Sequence, residues 1–330
     1  MDRDPSSVSR RAALGALGAT AFSLAAPVFA QDAYPNKPIK LLVGYAPGGS
    51  VDMAARVAAD ILSARLGGTV VVENLAGAAG VVAAQRTVTS RGDGYTLLAG
   101  SSNEMAATAL VNPAQRYNPQ KDLAPIALIA TAPVLLVAAP RAGVKNLDEF
   151  IALVKRSPGK YSYGSSGVGS TLHFAGELIK QRAGIFLTHI PYRGTAPLTN
   201  DLVGGTLDFA IMSPTAAAPF IQSGRIVPLG ITSAKRFTTL PQVPALGEHP
   251  QLKGYELTGW FALAAPKDLP APIVQKLREA MQAGLTDPAM HRRLEEGGSI
   301  PGTGKEDLAR IMREDSAKYA ELVKFANVRE

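Results

Sequence analysis

No cysteine occurs in the 330 residues, which excludes disulfides and thiolate metal sites. There is one tryptophan, and the four histidines are scattered. Neither a metal-ligand cluster nor the spacing of a catalytic triad can be assembled from them, so no metal, no cofactor and no catalytic residue are expected. Beyond residue 30 no run approaches the roughly eighteen continuous apolar residues of a membrane-spanning helix. Lys/Arg runs longer than pairs are also missing. The formal net charge of +7 is spread along the chain, so no nucleic-acid partner is expected. An anionic small ligand suits that excess as well.

The chain that remains is 46% hydrophobic and 18% charged, a globular composition with length enough for two domains. Its first thirty residues read as an export signal rather than as part of the fold. In "SRRAALGALGATAFSLAAPVFA" the pair Arg10-Arg11 precedes a weakly apolar core, and Val28-Phe29-Ala30 forms a small-residue cleavage site. The arginine pair behind a serine, with a mild Gly/Ala core, points to the twin-arginine route. Leu14 stands in for the usual Phe, and an ordinary Sec signal is the alternative. Removing the segment takes away three Arg and two Asp and leaves +6. The mature protein is expected in a bacterial periplasm.

Strand patterns fall at 39–45, 70–73, 95–99, 125–130, 133–139, 161–164, 187–190, 207–212, 226–231 and 257–264. Helical patterns fall between them at 52–66, 80–90, 103–110, 147–156, 171–183, 195–203 and 214–223. This alternation predicts an α/β fold with mostly parallel sheets. Asn146 with Glu149 predicts a capping box, and Ser213-Pro214 predicts an N-cap followed by proline. Gly67 and Gly184 fall at expected left-handed C-caps. The Pro/Gly-rich loop 233–256 reads as a connector. From 271 onward the chain is amphipathic and charged, and predicts covering helices with no strand between them.

Four strand-to-helix junctions are rich in Gly, Ser, Thr or Asn: "APGGSVD" at 46–52, "GSSNEM" at 100–105, "GSSGVGST" at 164–171 and "PYRGTAP" at 191–197, with "MSPT" at 212–215 as a shorter fifth. A helix start offers unpaired N–H groups and partial positive charge, so it stabilises an anion without Lys or Arg. The phosphate motifs fail, however. "GVGSTL" ends in Leu172 instead of a third glycine, and "SPGKYS" has Tyr161 after Lys160. There is no G-x-S-x-G elbow either. What remains is carboxylate, which takes several charge-assisted hydrogen bonds of about 1.5–3 kcal/mol each. A micromolar binder needs about 8 kcal/mol net. Two carboxylates at two helix mouths can supply that after association costs. Asp52, itself an anion in the first helical turn, is expected to accept from loop N–H groups and hold the loop's shape.

The ordered set "PGGSVD", "VENLAGAAG", "DGYTLLAGSS", "GSSGVGSTLHFAGEL", "PYRGTAPLTNDLVGGTLDFAI" and "GITSAKRFTTLPQVPALGE" resembles the Bug, or TctC, family of extracytoplasmic solute receptors of tripartite tricarboxylate transporters, over roughly residues 35–325. The resemblance implies a periplasmic-binding-protein-like α/β fold, with two Rossmann-like lobes joined by crossing strands and a ligand cleft between them. Lobe 1 would be 31–134 plus 247–330, carrying the C-terminal helices, and lobe 2 would be 135–246. It implies a non-enzymatic monomer that captures a small carboxylate, whether dicarboxylate, tricarboxylate or aromatic acid. Delivery would be to membrane subunits of the TctA and TctB type. A ligand sensor for a two-component system is one alternative. A secreted α/β hydrolase using Ser166 or Ser170 with His173 is another.

On the same resemblance, Pro47, Gly48, Gly49 and Asp52 would grip one carboxylate, and Ser165, Ser166, Gly169, Ser170 and Thr171 the other end. His173 and Asp208 match residues common in the family, and Tyr192-Arg193-Gly194 match its Tyr-Lys/Arg-Gly turn. Ser101 and Ser102 join the set from the second glycine-serine loop. Ala46 stands where a second proline is frequent, and Tyr45 where Phe is. Ser213, in "AIMSPT", replaces a run often carrying Asp-Asn, which leaves room for a longer or bulkier acid. Tyr45, Trp260 and Arg193 are the candidates for ring stacking or a cationic contact.

Overall fold

A computed structural model of the chain describes residues 34–112 and 115–328. The export segment expected at 1–30 lies outside the described residues. The chain divides into Met1–Asn36 and Lys37–Glu330, and the second unit is described below. No helix among the described residues is long and apolar enough to cross a membrane.

Apolar runs such as "IKLLV" and "TLLAGS" form strands that are buried almost throughout, as parallel strands covered on both faces must be. All ten strand patterns appear, with ends shifted by a few residues. The first sheet contains β1 (Ile39–Val43), β2 (Val70–Asn74), β3 (Thr96–Ser101) and β4 (Leu123–Ala132). It also holds β10 (Gly259–Pro266) and the short β11 (Ile300–Pro301), in the order β11-β4-β10-β3-β1-β2. The second contains β5 (Leu135–Ala138), β6 (Ser162–Ser165), β7 (Thr188–Pro191), β8 (Phe209–Met212) and β9 (Val227–Ile231), in the order β7-β6-β8-β5-β9.

Each sheet has three mutually parallel strands, β2-β1-β3 and β7-β6-β8. The other pairings are antiparallel: β10 lies against β3 and β4, and β5 against β8 and β9. The sheets are therefore mixed rather than mostly parallel. The reason is that the chain crosses from one sheet to the other twice, and a returning strand enters from the opposite end. The first crossing, Pro133-Val134, is only two residues long. The second is the expected connector, which leaves β9 and returns as β10. The crossings are tied side by side at Thr232. The Val134 N–H donates to its Oγ1, its own N–H donates to the Val134 carbonyl, and its carbonyl accepts from the Leu257 N–H.

The helices of eight residues or more between strands are α1 (Ser50–Leu66), α2 (Val81–Val88), α3 (Leu147–Arg156), α4 (Thr171–Ala183), α5 (Thr195–Val203) and α6 (Pro214–Gln222). Their caps follow local chemistry. Asn146 Oδ1 accepts from the Glu149 N–H at 2.9 Å, and Ser213 Oγ accepts from the Ala216 N–H at 3.4 Å. Gly67 and Gly184 are left-handed C-caps. The segment expected as a helix at 103–110 is instead a π-helical turn, Asn103–Ala107, followed by a tight turn, Thr108–Leu110.

The tail forms α7 (Ala271–Gly284), α8 (Pro288–Glu296) and α9 (Leu308–Ala326). It is not strand-free, because β11 pairs antiparallel with β4. Nor does it cover one sheet alone. Phe174 on α4 stacks on Tyr319 of α9 with centroids 4.9 Å apart, while Ser316 on α9 hydrogen-bonds the Ala106 carbonyl beside the first sheet. Trp260, Tyr255, Phe174 and Tyr319 belong to one buried cluster that runs from the first sheet to the second. A separate cluster, including Leu135, Leu198, Phe237 and Ala245, fills the other side of the second sheet.

Candidate functional site

Strands β1, β3, β6 and β8 end at the same gap between the sheets, and the chain turns there into its next element. A cavity of about 160 Å³ lies in the gap. The first residues of three helices border it: Ser50 and Val51 of α1, Ser170 to Leu172 at the start of α4, and Ser213-Pro214 at the start of α6. The floor is the crossing Ala132-Pro133-Val134 with Phe261. No Lys, Arg, His, Asp or Glu lines it among the described residues. Its polar surface is hydroxyl, amide and helix-start N–H, a set of donors with the positive end of three helix dipoles. Such a site takes an anion, above all a planar one that accepts several donors.

Seven residues of the expected site line this cavity: Tyr45, Ser101, Ser102, Ser166, Ser170, Thr171 and Ser213. The others do not line it. Pro47, Gly48 and Gly49 form the exposed turn into α1, where Gly48 has φ +85°, a left-handed backbone that only glycine adopts without strain. Asp52 is buried and turned away from the gap. Its carboxylate accepts from the Gly48 N–H at 3.0 Å, from Asn74 Nδ2 at 2.9 Å and from both forks of Arg56. It therefore holds the loop's shape, as its first-turn position predicts. Burial pushes its pKa up, but the Arg56, Gly48 and Asn74 hydrogen bonds outweigh this and hold it below the usual carboxylate value.

Behind the glycine loop 165–170, two histidines stack at 3.9 Å. His173 Nδ1 accepts from the Gly169 N–H at 3.1 Å, and His189 Nε2 meets Ser165 Oγ at 2.7 Å. Neither reaches the cavity. Burial, helped by the Lys180 charge and against the pull of Glu177, pushes His173 down to about 4, and burial, then His173 and Lys180, push His189 down to about 3. Both rings are neutral props for the loop. Ser170 donates to the Gly167 carbonyl and caps His173, and Ser165 is fully buried. Among the described residues, the serine that meets a histidine side chain is the buried Ser165, so the hydrolase alternative gains no accessible nucleophile from them.

Tyr192 points into its own lobe and donates to Asp201 at 2.8 Å, with its pKa pushed up to about 12 by burial and that carboxylate. Arg193 is exposed, and Gly194 precedes α5. Asp208 lies just before β8, at the opposite end of the second sheet from the cavity, where it pairs with Arg141 at 3.0 Å. Trp260 is buried and donates to Asp315 at 2.7 Å. Its neighbour Phe261 faces the cavity instead, because successive residues of a strand point to opposite faces.

Several lining residues escape the sequence reading. Asn103 links the two sheets: its Nδ2 donates to Tyr45 Oη at 3.2 Å, and its Oδ1 accepts from the Thr171 N–H and Oγ1 at 3.3 and 3.2 Å. It sits within "GSSNEM", so the loop was signalled but the residue was not. Ser299 has no sequence signal at all; it arrives between α8 and β11, a region that reads as covering structure.

A family model for the receptor of the tripartite tricarboxylate transporter family matches residues 54–328. BugT of Bordetella pertussis is 35% identical over 317 residues, 95% of this chain and 96% of that protein. Among solved structures, Rpa4515 of R. palustris with adipate has a TM-score of 0.79 at 33% identity, covering 90% of this chain and 99% of that one. MatC of Rhodopseudomonas palustris with bound malate has a TM-score of 0.74 at 29% identity, covering 88% of this chain and 100% of that one.

Proposed function

The chain belongs to the tripartite tricarboxylate transporter receptor family, a family of extracytoplasmic solute-binding proteins rather than enzymes, and from its cavity we propose that it captures a small dicarboxylate. One observation carries this reading. The first turns of α1 on one sheet and of α4 and α6 on the other border a single cavity that no charged side chain lines. One carboxylate sits at the α1 mouth with Ser50 and the other at the α4 and α6 mouths with Ser170, Thr171 and Ser213. A ligand with an anion at each end draws the two halves together. Similarity to proteins solved with adipate and malate supports this chemistry.

The halves that close are 31–134 with 247–330, and 135–246, pivoting on the two crossings tied at Thr232. The protein works as a monomer in the periplasm, after export by its N-terminal segment. The closed form presents the ligand to TctA- and TctB-type membrane subunits. Thermal denaturation and calorimetry with linear dicarboxylates, citrate and aromatic acids test the proposal. Micromolar binding of at least one dicarboxylate, recovered unchanged after long incubation, is the expected result. No thermal shift and no binding heat from any acid would sink it.

A further inference from the structure

Glu104 abuts the cavity wall without lining it, through its contacts with the lining residues Ser101 and Tyr45. It is fully buried, in the π-helical turn that follows β3. A Cβ placed on Gly80 would come within 2.4 Å of its carboxyl carbon, so the glycine leaves room for the carboxyl and no water separates them. Oε1 accepts from the Ser101 N–H at 2.7 Å. Oε2 lies 2.5 Å from Ser101 Oγ and 2.9 Å from Tyr45 Oη. Those two hydroxyls are 2.9 Å apart, and Tyr45 Oη is also 2.9 Å from the Ala79 carbonyl. Ser101 and Tyr45 both line the cavity.

Counting protons decides how this cluster works. Each hydroxyl has one hydrogen. With an ionised Glu104, Ser101 donates to Oε2 and Tyr45 to the Ala79 carbonyl, so each acceptor keeps a donor, but the 2.9 Å contacts of the Tyr45 oxygen with Oε2 and with Ser101 Oγ then hold no hydrogen. With a protonated Glu104 every group is served in sequence. Glu104 donates to Ser101, Ser101 to Tyr45, and Tyr45 to Ala79, while Asn103 Nδ2 donates to the Tyr45 oxygen.

We propose that Glu104 is a proton-binding positioning residue, whose bound proton completes this chain, fixes the Tyr45 and Ser101 hydroxyls, and keeps the α1 side of the cavity free of negative charge for an anionic ligand. The inference rests on the carboxylate reading above. Among the described residues no cation pairs with Glu104. The titratable groups facing Glu104 are Tyr45 and Tyr117, whose hydroxyl donates to the Glu104 carbonyl at 2.8 Å. Burial, and then the nearby carboxyl, push both phenols up, so they stay neutral. On the elements packed around the turn, Arg86 of α2 and Lys121 are exposed, Asp122 accepts from the Asn118 N–H, and Asp315 of α9 binds Trp260 and Lys318. Burial accordingly lifts Glu104 to about 7, against the hydrogen bonds from Ser101 and Tyr45.

Carbon-13 NMR of glutamate-labelled protein follows the carboxyl directly, with the signal assigned by its loss in Glu104→Gln. Calorimetry with adipate, in two buffers of different ionisation enthalpy, counts protons taken up on binding and needs no variant. With half-protonation near neutrality, the competent fraction falls from about nine-tenths at pH 6 to about one-tenth at pH 8, so adipate affinity drops about tenfold with nearly one proton taken up at the higher pH. Glu104→Gln, which carries a donor at any pH, loses that dependence. A carboxyl titrating in the ordinary range, or adipate bound with no proton uptake at either pH, overturns the inference and leaves carboxylate capture standing. No acid bound at any pH overturns carboxylate capture and this linkage with it.

Discussion

Asn103 and Thr171, 68 residues apart, meet across the gap between the two sheets. The Asn103 side-chain oxygen accepts from both the backbone N–H and the hydroxyl of Thr171. The same amide donates to Tyr45. One side chain thus ties the first sheet's hydroxyl cluster to the start of α4. It can serve both because an amide offers donor and acceptor at once, which neither a carboxylate nor an ammonium does.

Asn103→Ala removes those links. Dicarboxylate affinity should fall about tenfold, and stability by about 1–2 kcal/mol, from hydrogen bonds of ordinary net strength. Asn103→Asp should bind still more weakly, since it adds an anion at the cavity. Calorimetry and denaturant unfolding of both variants check the order.

Ser213→Asp separates charge from folding. Aspartate caps a helix as well as serine and suits its dipole, so α6 and the melting temperature should hold or improve. The new carboxylate faces the cavity, and affinity for any anionic ligand should drop at least about tenfold. Unchanged affinity would mean that the ligand does not approach the α6 mouth.

Asp52→Asn should loosen the turn 47–49 without touching a ligand. The ionised Asp52 is the favoured form in the fold, so its contribution is present above the ordinary carboxylate pKa and is lost as pH falls through its lowered value. Native protein should exceed the variant by about 1–3 kcal/mol at neutral pH, the scale of a charge-assisted network, and the gap should close in strong acid. Denaturant midpoints at the two pH values measure it.

His173 and His189 act at milder pH. Both are neutral in the fold and become charged once unfolded below about 6.5. Stability should therefore fall as pH drops from about 6.5 toward about 4, by up to about 1.4 kcal/mol per unit for each ring. His189→Asn keeps a partner for Ser165 but cannot take the proton. The stability gap between native protein and His189→Asn should shrink steadily as pH falls over that range. Comparing the two cancels the opposite contribution of Glu104.

Much of the fold was legible because its signals are local. Alternating runs placed ten strands, and Asn146, Ser213-Pro214, Gly67 and Gly184 marked helix ends with side chains or backbone freedom that act within a few residues. The helix mouths that border the cavity were legible for the same reason. Within the loops the resolution was coarser. Trp260 and Phe261 differ by one position, and only the face each takes in β10 shows that phenylalanine meets the cavity. His173, three residues from Ser170, reads as a site residue but works from behind, because its ring packs on His189 and its nitrogen is spent on Gly169.

By itself, the sequence determined the alternation of strands and helices, the glycine and hydroxyl chemistry of the turns, and the family. These are properties of neighbouring residues and of their order. Tertiary structure alone decided that Asn103 reaches Thr171, that Ser299 comes to the cavity, that α9 packs on both sheets, and that Glu104 is shut away from water. Each depends on which distant segments exclude solvent together, and burial, unlike a cap or a turn, is a property of the assembled chain.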